Sequence, residues 1–189
     1  MNNKIKDLAE YYAGSLLVPV EYRDNINNCA AAVDIANRLN IPPIMVMKNL
    51  DLSTGQLAFS SSFIIACINA SGNYIGGLKY DISGSGDDMT CRAYAIPVDN
   101  PEELLFGPIV TIKMVKEEGW HTQPGSKWNT ITELMIHYRS AAFFAKVYHP
   151  EILLEMKTSE ELSDISANLS AKKEAVKAHT FQLLTKLKK

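Results

Sequence analysis

The sequence has few cysteines, no long apolar run and no segment that resembles a signal peptide. Its three cysteines, Cys29, Cys67 and Cys91, are far apart and lack a CxxC or His-rich neighbourhood. This spacing argues against a zinc site or a disulfide framework and is typical of buried thiols. No apolar stretch approaches the roughly 18 residues of a membrane span, and residues 1–7 have no hydrophobic core after their charges. We therefore expect a cytoplasmic protein with no membrane contact.

The chain also lacks the short motifs that accompany most nucleotide and hydrolase chemistry. It contains no GxxxxGK(S/T), GxGxxG, GxSxG or HExxH pattern. Its four histidines stand alone, without a neighbouring cysteine or serine in a nucleophile arrangement. These absences favour a protein that is not an enzyme and that uses no cofactor and no metal.

The length and composition favour one globular domain. With 189 residues, of which 47% are hydrophobic, the chain can bury one core but is short for two domains. Its formal net charge of −2 argues against a strongly basic nucleic-acid-binding protein. The charge is uneven, however, because residues 104–149 hold 5 Lys+Arg against 3 Asp+Glu, whereas residues 1–103 hold 7 against 12. A polyanion responds to the local potential, so a nucleic-acid partner remains compatible with the sequence.

Two segments alternate with the period of a β-strand. Residues 77–83 and 89–96 each place one set of side chains on each face, and the loop at residues 84–88 joins them. We therefore predict a long hairpin at about residues 76–97. One face is expected to carry Leu78, Tyr80 and Ile82 from the first strand and Cys91, Ala93 and Ala95 from the second. The solvent face is expected to present Lys79, Arg92 and Tyr94.

Helical periodicity, capping residues and prolines predict several helices around this hairpin. Pro42 and Pro43 separate two of them, and a smaller hairpin at residues 50–59 is expected to turn at Gly55. The predicted fold is α+β, with a small central antiparallel sheet packed with several helices. We expect residues 1–157 to form a single core and residues 158–189 to form a helical C-terminal tail.

Residues 125–146 join a glycine-containing turn, which carries Lys127 and Trp128, to a helix with two distinct faces. The predicted core face consists of Ile131, Leu134, Met135, Tyr138, Ala141, Ala142 and Ala145. A second stripe, roughly 90° away, consists of Thr132, Ile136, Arg139, Phe143 and Lys146. Because phosphates pair with Arg and Lys while aromatic faces stack on unpaired bases, this stripe suits a nucleic-acid strand. In the alternative interpretation, Phe143 widens the apolar face and Arg139 is an ordinary solvated or ion-paired residue.

Three pieces of the sequence resemble the RecT/Red beta family of phage single-strand DNA annealing proteins. They are residues 60–69, residues 91–95 and, most specifically, residues 125–146 followed by Pro150 and Glu151. The resemblance as a whole extends over about residues 40–157. The resemblance implies an α+β core with a central antiparallel sheet, homo-oligomeric rings or helical filaments, and ATP-independent annealing of complementary DNA strands during recombination. It also implies a host single-strand-binding protein or a partner exonuclease as further partners.

Carried over to this sequence, the family pattern implies a DNA groove near the hairpin and the segment from Trp128 to Lys146. The predicted nucleic-acid-binding residues are Lys79, Arg92, Tyr94, Lys127, Trp128, Arg139, Phe143 and Lys146. Two other functions remain open. One is a Mg²⁺-dependent nucleic-acid processing enzyme that uses Asp81, Asp87 and Asp88. The other is a structural oligomer whose cations bind only sister subunits.

Overall fold

A computed structural model of the chain shows an α+β architecture. It describes residues 3–51, 57–122, 124–153 and 156–165. Two of the predicted features fall outside these ranges, namely the turn at Gly55 and the part of the helical tail beyond residue 165. Within the described ranges, no helix is both long enough and apolar enough to cross a membrane.

Three helices form the amino-terminal layer. They are α1 (Asn3–Ala13), α2 (Ile26–Leu39) and α3 (Pro43–Asn49). Asn25 caps α2 by accepting a hydrogen bond from the backbone N–H of Asn28, and Asn40 ends it in the left-handed conformation, with φ at 53°. Pro43 opens α3 at a position where a helix needs no N–H donor. The helix, proline, helix corner that the sequence predicts is therefore present.

Within the described residues, seven short strands form two sheets. They are β1 (Leu50–Asp51), β2 (Ala58–Phe59), β3 (Lys79–Ser83), β4 (Thr90–Ala95), β5 (Leu105–Phe106), β6 (Val110–Thr111) and β7 (Lys157–Thr158). In the first sheet, β2 pairs antiparallel with β1 and parallel with β7. In the second, β4 pairs antiparallel with β3 on one side and with β5 and β6 on the other. The predicted long hairpin is thus β3–β4, and the α+β fold with a small antiparallel sheet is confirmed.

One face of the second sheet is covered by a long helix. Further helices are α4 (Ser61–Ala70), α5 (Ile112–Glu117), α6 (Thr132–Tyr148) and α7 (Pro150–Leu153). Alternate residues of β4 are buried on the side of α6, as their period predicts. There the hydroxyl of Ser140 donates to the carbonyl of Cys91 at 3.1 Å. Gly107 permits this close packing, because a Cβ at that position would lie 3.2 Å from the Cβ of Phe144. The opposite face of the sheet carries partly exposed side chains, such as those of Lys79, Arg92 and Tyr94.

A smaller hydrophobic cluster lies where α5, α6 and the preceding turn meet. Its buried members are Cys91, Val110, Ile112, Val115, Trp120, Trp128, Met135 and Ile136. The Trp120 and Trp128 rings are 5.6 Å apart between centroids. Large aromatic rings contribute much of the apolar area that such a cluster buries. Both tryptophans therefore anchor the packing of α6.

Beyond α7 the chain returns to the core as a segment that we call the acidic segment, residues 157–165. It begins with β7 and continues as a helix at residues 159–165. Thr158 and Glu161 cap each other: the N–H of Thr158 donates to Oε2 of Glu161 at 3.0 Å, and the N–H of Glu161 donates to Oγ1 of Thr158 at 3.1 Å. The carboxylate of Glu160 accepts from the N–H and the hydroxyl of Ser61. The residues just past the predicted core boundary at 157 therefore pack against the core.

Candidate nucleic-acid interface

The solvent face of the second sheet brings together Lys79, Tyr94 and Phe106. Lys79 is directly opposite Tyr94 in the β3–β4 ladder, and Tyr94 is directly opposite Phe106 in the β4–β5 ladder. Directly opposed residues of an antiparallel pair point to the same face, so the three side chains form a row across the sheet. The Tyr94 and Phe106 rings lie 5.7 Å apart between centroids, tilted by 38°. We call this surface, together with Arg92, the sheet face.

Arg92 occupies the next row of the sheet face. Its guanidinium carbon lies 3.9 Å from the centroid of the Phe106 ring, and its Nε donates to Oδ2 of Asp81 at 3.1 Å. The Arg92 side chain is 34% exposed and that of Asp81 is 52% exposed. A stacked guanidinium retains N–H donors beyond the one that Asp81 uses, because Arg has five. Arg92 can therefore donate hydrogen bonds to a further anion while it stays over the Phe106 ring.

The electrostatics of the sheet face favour an anion. Its two cations, Lys79 and Arg92, face a single carboxylate, Asp81, and Lys79 has no ion pair among the residues that the structure describes. A third row adds hydroxyls, since Ser83 Oγ and Thr90 Oγ1 are 2.9 Å apart. Cations, hydroxyls and aromatic rings on one surface can bind phosphates and stack bases.

Helix α6 does not present the predicted solvent-facing stripe, because Arg139 is buried. Only 6% of Arg139 is exposed. Its guanidinium stacks on Trp120, 3.9 Å from the ring centroid, and forms ion pairs with Asp164 and with Glu161, the latter at 3.4 Å. The alternative interpretation, an ion-paired Arg139, is the one that the structure shows. Arg139 is an internal cation with two internal counterions.

Trp128 is also internal and requires the same correction. It is 3% exposed, and its indole Nε1 donates to Oδ2 of Asp164 at 3.3 Å. A buried ring whose N–H is already bonded cannot stack on a base. Lys127, the preceding residue, is exposed on the short 3-10 turn Lys127–Asn129. The turn thus offers a cation to solvent but keeps its aromatic ring in the core.

Two other stripe residues, Phe143 and Lys146, are accessible to solvent, but they already contact other side chains. The ammonium of Lys146 binds Oε1 of Glu161 and lies 5.5 Å from the centroid of the Phe143 ring. Ile136, assigned to the stripe, is fully buried, whereas Ile131 and Leu134, assigned to the core, are exposed. The predicted core face of α6 is wrong because the helix packs against both the sheet and the Trp120–Trp128 cluster. In addition, the acidic segment covers Arg139. Burial therefore extends over more of the helix than one apolar stripe.

The sequence analysis did not predict that Glu161 and Asp164 pair with the cations of α6, although one local signal for this segment is present. Thr158 and Glu161 have the spacing of a capping box, which would have indicated a helix start at this point. Nothing local indicated that Glu161 and Asp164 would reach Arg139. Burial raises the pKa of Asp164 to about 6, against the opposing effects of Arg139 and of the hydrogen bond from Trp128. Asp164 is therefore a carboxylate with poor access to water.

The structure divides the predicted site residues into separate groups. Lys79, Arg92 and Tyr94 come together on the sheet face, and Phe106 joins them as a residue that the sequence reasoning had not selected. Trp128, Arg139, Phe143 and Lys146 lie around α6, which covers the other face of the sheet. The predicted single groove through all of these residues is therefore wrong, because the sheet separates the two groups.

The three aspartates of the alternative magnesium site are not assembled. Asp81 is bound to Arg92, and Asp87 pairs instead with Lys116 of α5. Across residues 3–51, 57–122, 124–153 and 156–165, no group of three or more His, Cys, Asp or Glu side chains is arranged to hold a metal ion. Asp81 and Asp87 therefore serve as partners for cations of the fold.

Comparisons with known proteins identify no relative of this chain. No protein-family model, curated protein or solved structure matches it. The resemblance to the RecT/Red beta family therefore stays a prediction that rests on the motifs. The function has to be argued from the sheet face and the surroundings of α6.

Proposed function

We propose that the protein binds single-stranded DNA on the sheet face and anneals complementary strands without ATP, as expected of a RecT-type recombination protein. The observation that carries this proposal is the row of Lys79, Tyr94 and Phe106 with Arg92 stacked beside it. It combines two phosphate partners with two aromatic rings on an otherwise open sheet. In this proposal the protein is not an enzyme, because annealing makes and breaks no covalent bond.

The chemistry of the sheet face favours a single strand over a duplex. Unpaired bases have free faces, and each base that stacks on an aromatic side chain contributes about 1–3 kcal/mol with little sequence preference. A duplex hides those faces and offers only phosphates and groove edges. The rings of Tyr94 and Phe106, 5.7 Å apart and tilted by 38°, form a stepped stacking platform, and the Arg92 guanidinium already lies over one side of the Phe106 ring. A strand with its phosphates near Lys79 and Arg92 would place its bases on this platform.

Self-association is part of the same proposal. Leu16 and Leu17 follow α1 and are 81% and 79% exposed, and apolar surface of this kind is commonly covered in an oligomer. A homo-oligomeric ring or filament would hold two complementary strands near each other and raise their effective concentration. A host single-strand-binding protein or a partner exonuclease would act on this assembly in the cytoplasm.

The test combines binding and annealing measurements on the full chain. Fluorescence anisotropy with a labelled oligonucleotide, longer than the roughly 4–16 nucleotides of a typical site, measures affinity as a function of salt. A pair of complementary oligonucleotides carrying a fluorophore and a quencher measures annealing. We expect binding that weakens steeply with salt, a clear preference for single strands over duplex, and faster annealing without ATP.

A matched pair of variants assigns the activity to the sheet face. Lys79→Ala with Tyr94→Ala removes one cation and one ring from it. Lys113→Ala with Tyr11→Ala removes the same two residue types from exposed positions on α5 and α1. We expect the first variant to lose both binding and annealing and the second to keep them. Equal behaviour of the two variants would overturn the assignment, and salt-insensitive assembly without DNA binding would favour the structural oligomer.

A further inference from the structure

The surface around Arg139 has the composition of a second phosphate-binding site. Trp120, Arg139, Phe143 and Lys146 line a cavity of about 420 Å³, together with Lys157 at the start of the acidic segment and with three carboxylates, those of Glu118, Glu161 and Asp164. Arg139 lies between the Trp120 ring at 3.9 Å and the Phe143 ring at 6.0 Å, measured to the centroids. Lys146 approaches Phe143 from the next turn of α6. This surface therefore pairs cations with aromatic rings, as the sheet face does.

The carboxylates of the acidic segment occupy the cations of this surface. Glu161 binds both Arg139 and Lys146 through the same oxygen, Oε1, and Asp164 binds Arg139 through Oδ2. Asp164 also accepts the N–H of Trp128. Carboxylate and phosphate oxygens compete for the same donors, because the guanidinium fork recognises either anion. Glu161 and Asp164 therefore bind where phosphates of a strand would bind.

We propose that the acidic segment is an intramolecular competitor that masks a second single-stranded DNA site on α6, made of Trp120, Arg139, Phe143 and Lys146, and that bound DNA displaces it. This inference rests on the proposed function, because the sheet face has to bring the strand to the protein first. The masked site, on the other side of the sheet, would then provide a separate contact for DNA.

The attachment of the acidic segment is compatible with displacement. Besides its ion pairs, the acidic segment is held by a strand pairing with β2 over Lys157 and Thr158 and by two hydrogen bonds from Ser61 to the carboxylate of Glu160. Its carboxylates are held in a poorly hydrated place, since burial raises the pKa of Asp164 to about 6. A buried ion pair also contributes less than its geometry suggests, because the desolvation of both charges opposes the attraction. A DNA strand brings several phosphates to Arg139 and Lys146 at once, whereas the acidic segment binds these cations through two carboxylates, those of Glu161 and Asp164.

Hydrogen exchange of the unmodified protein tests the displacement directly. Backbone exchange at residues 157–165 is measured by mass spectrometry with and without an oligothymidylate, under conditions in which anisotropy shows saturation. Thr158 and Glu161 are the most informative amides, because each is held by the side chain of the other. We expect both to exchange faster when DNA is bound. Unchanged or slower exchange at saturation would overturn the proposal.

A charge variant provides a second, independent arm. Glu161→Gln with Asp164→Asn removes both charges, whereas the amide oxygens can still accept from Thr158 and from the Trp128 indole. We expect affinity for oligothymidylate to rise at least about fivefold and the salt slope to steepen by about 0.7 for each freed cation. Glu117→Gln, an exposed acid on α5 paired with Lys113 at 3.7 Å, is the matched control and should bind like the wild type. A folded double variant with unchanged affinity would contradict the proposal. If the double variant does not fold, hydrogen exchange of the wild type tests the proposal instead.

The two proposals fail in different ways. If neither the wild type nor the double variant binds oligothymidylate, both the proposed function and the masked site are wrong. If the wild type binds through Lys79 and Tyr94 while residues 157–165 keep their exchange rates, only the masked site is wrong. In that case, the ion pairs of Arg139 serve packing alone.

Discussion

The guanidinium carbon of Arg92 lies over the ring of Phe106, 3.9 Å from its centroid, although the two residues are on different strands. The strand register brings them together: Tyr94, two residues after Arg92, is directly opposite Phe106. This arrangement holds the cation above the sheet while leaving donors available. It makes the sheet face the most direct target for mutagenesis.

The Tyr94 ring should contribute by stacking. Tyr94→Ala is expected to reduce affinity for single-stranded DNA by about 1–3 kcal/mol, because one base loses its aromatic partner. Tyr94→Phe, which keeps the ring, should bind like the wild type. Fluorescence anisotropy measures both, and circular dichroism checks that the variants are folded. If Tyr94→Ala binds as tightly as Tyr94→Phe, stacking on this ring is not part of binding.

Asp81 should weaken binding, because it competes with phosphate for Arg92. Asp81→Asn is expected to raise affinity and to steepen the dependence of log K on log salt by about 0.7, the value for one additional phosphate contact with a single strand. The exposed ion pair with Arg92 contributes only about 0–1 kcal/mol to stability, so the fold should persist. Anisotropy titrations over a range of salt concentrations measure the slope. A lower affinity for Asp81→Asn would show that Asp81 instead positions Arg92 for the strand.

The buried Asp164 predicts a pH dependence of stability. Burial raises its pKa from the ordinary value of 3.8 to about 6, so the folded state binds the proton more tightly than the unfolded state does. Its contribution to the free energy of unfolding should therefore be largest below about pH 4 and fall as the pH rises to about 6. Urea unfolding of the wild type and of Asp164→Asn over this range isolates the effect. We expect the difference in the free energy of unfolding between the two proteins to change over this pH range. Parallel pH profiles of the two proteins would contradict a raised pKa for Asp164.

Gly84 should be indispensable at the turn between β3 and β4. Its φ is +72°, and a Cβ would lie 2.2 Å from the carbonyl oxygen of Asp88. Gly86, in the same loop, also has a positive φ, of +54°, but a Cβ there would meet nothing within 4 Å. Both alanine variants should lose about 1–2 kcal/mol from the left-handed conformation. The clash at Gly84 should add about 1–3 kcal/mol more.

Urea unfolding of the two variants measures this difference. Gly86→Ala serves as the control for the conformational cost alone, because it lacks the clash. Equal loss of stability in both variants would mean that the loop moves to accommodate the methyl group of Gly84→Ala. DNA binding of a folded Gly84→Ala would then show whether the loop affects the sheet face.

The hairpin could be predicted because its signal is local. Alternation over residues 90–95 decides which side chains of β4 share a face, and the buried side is the one with Cys91 and Ala93. Lys79, Arg92 and Tyr94 were therefore placed correctly on the opposite face. Phe106 was missed because the pairing of β5 with β4 brings it beside Arg92 and Tyr94, and a strand of two residues does not indicate its partner.

The faces of α6 could not be predicted from its own residues. A helical wheel assumes that one side packs and the other meets water, whereas Arg139 is covered by acids 22 and 25 positions further along the chain. Ile136 was misassigned for a related reason, since it packs in the cluster with Trp120 and Trp128. The ion pairs of Arg139 with Glu161 and Asp164 depend on the path of the chain after α7. The periodicity of α6 contains no information about that path.

By itself, the sequence determined the local features of this protein. These are its strand alternation, its helix caps and corners, and the positions where only glycine fits, because each depends on neighbouring residues and on the geometry of the backbone. Only the tertiary structure decided which cations keep their charge available to a partner. Lys79 and Arg92 remain on an open sheet, whereas Arg139 meets Glu161 and Asp164 in the interior, since ion pairing depends on distance in space.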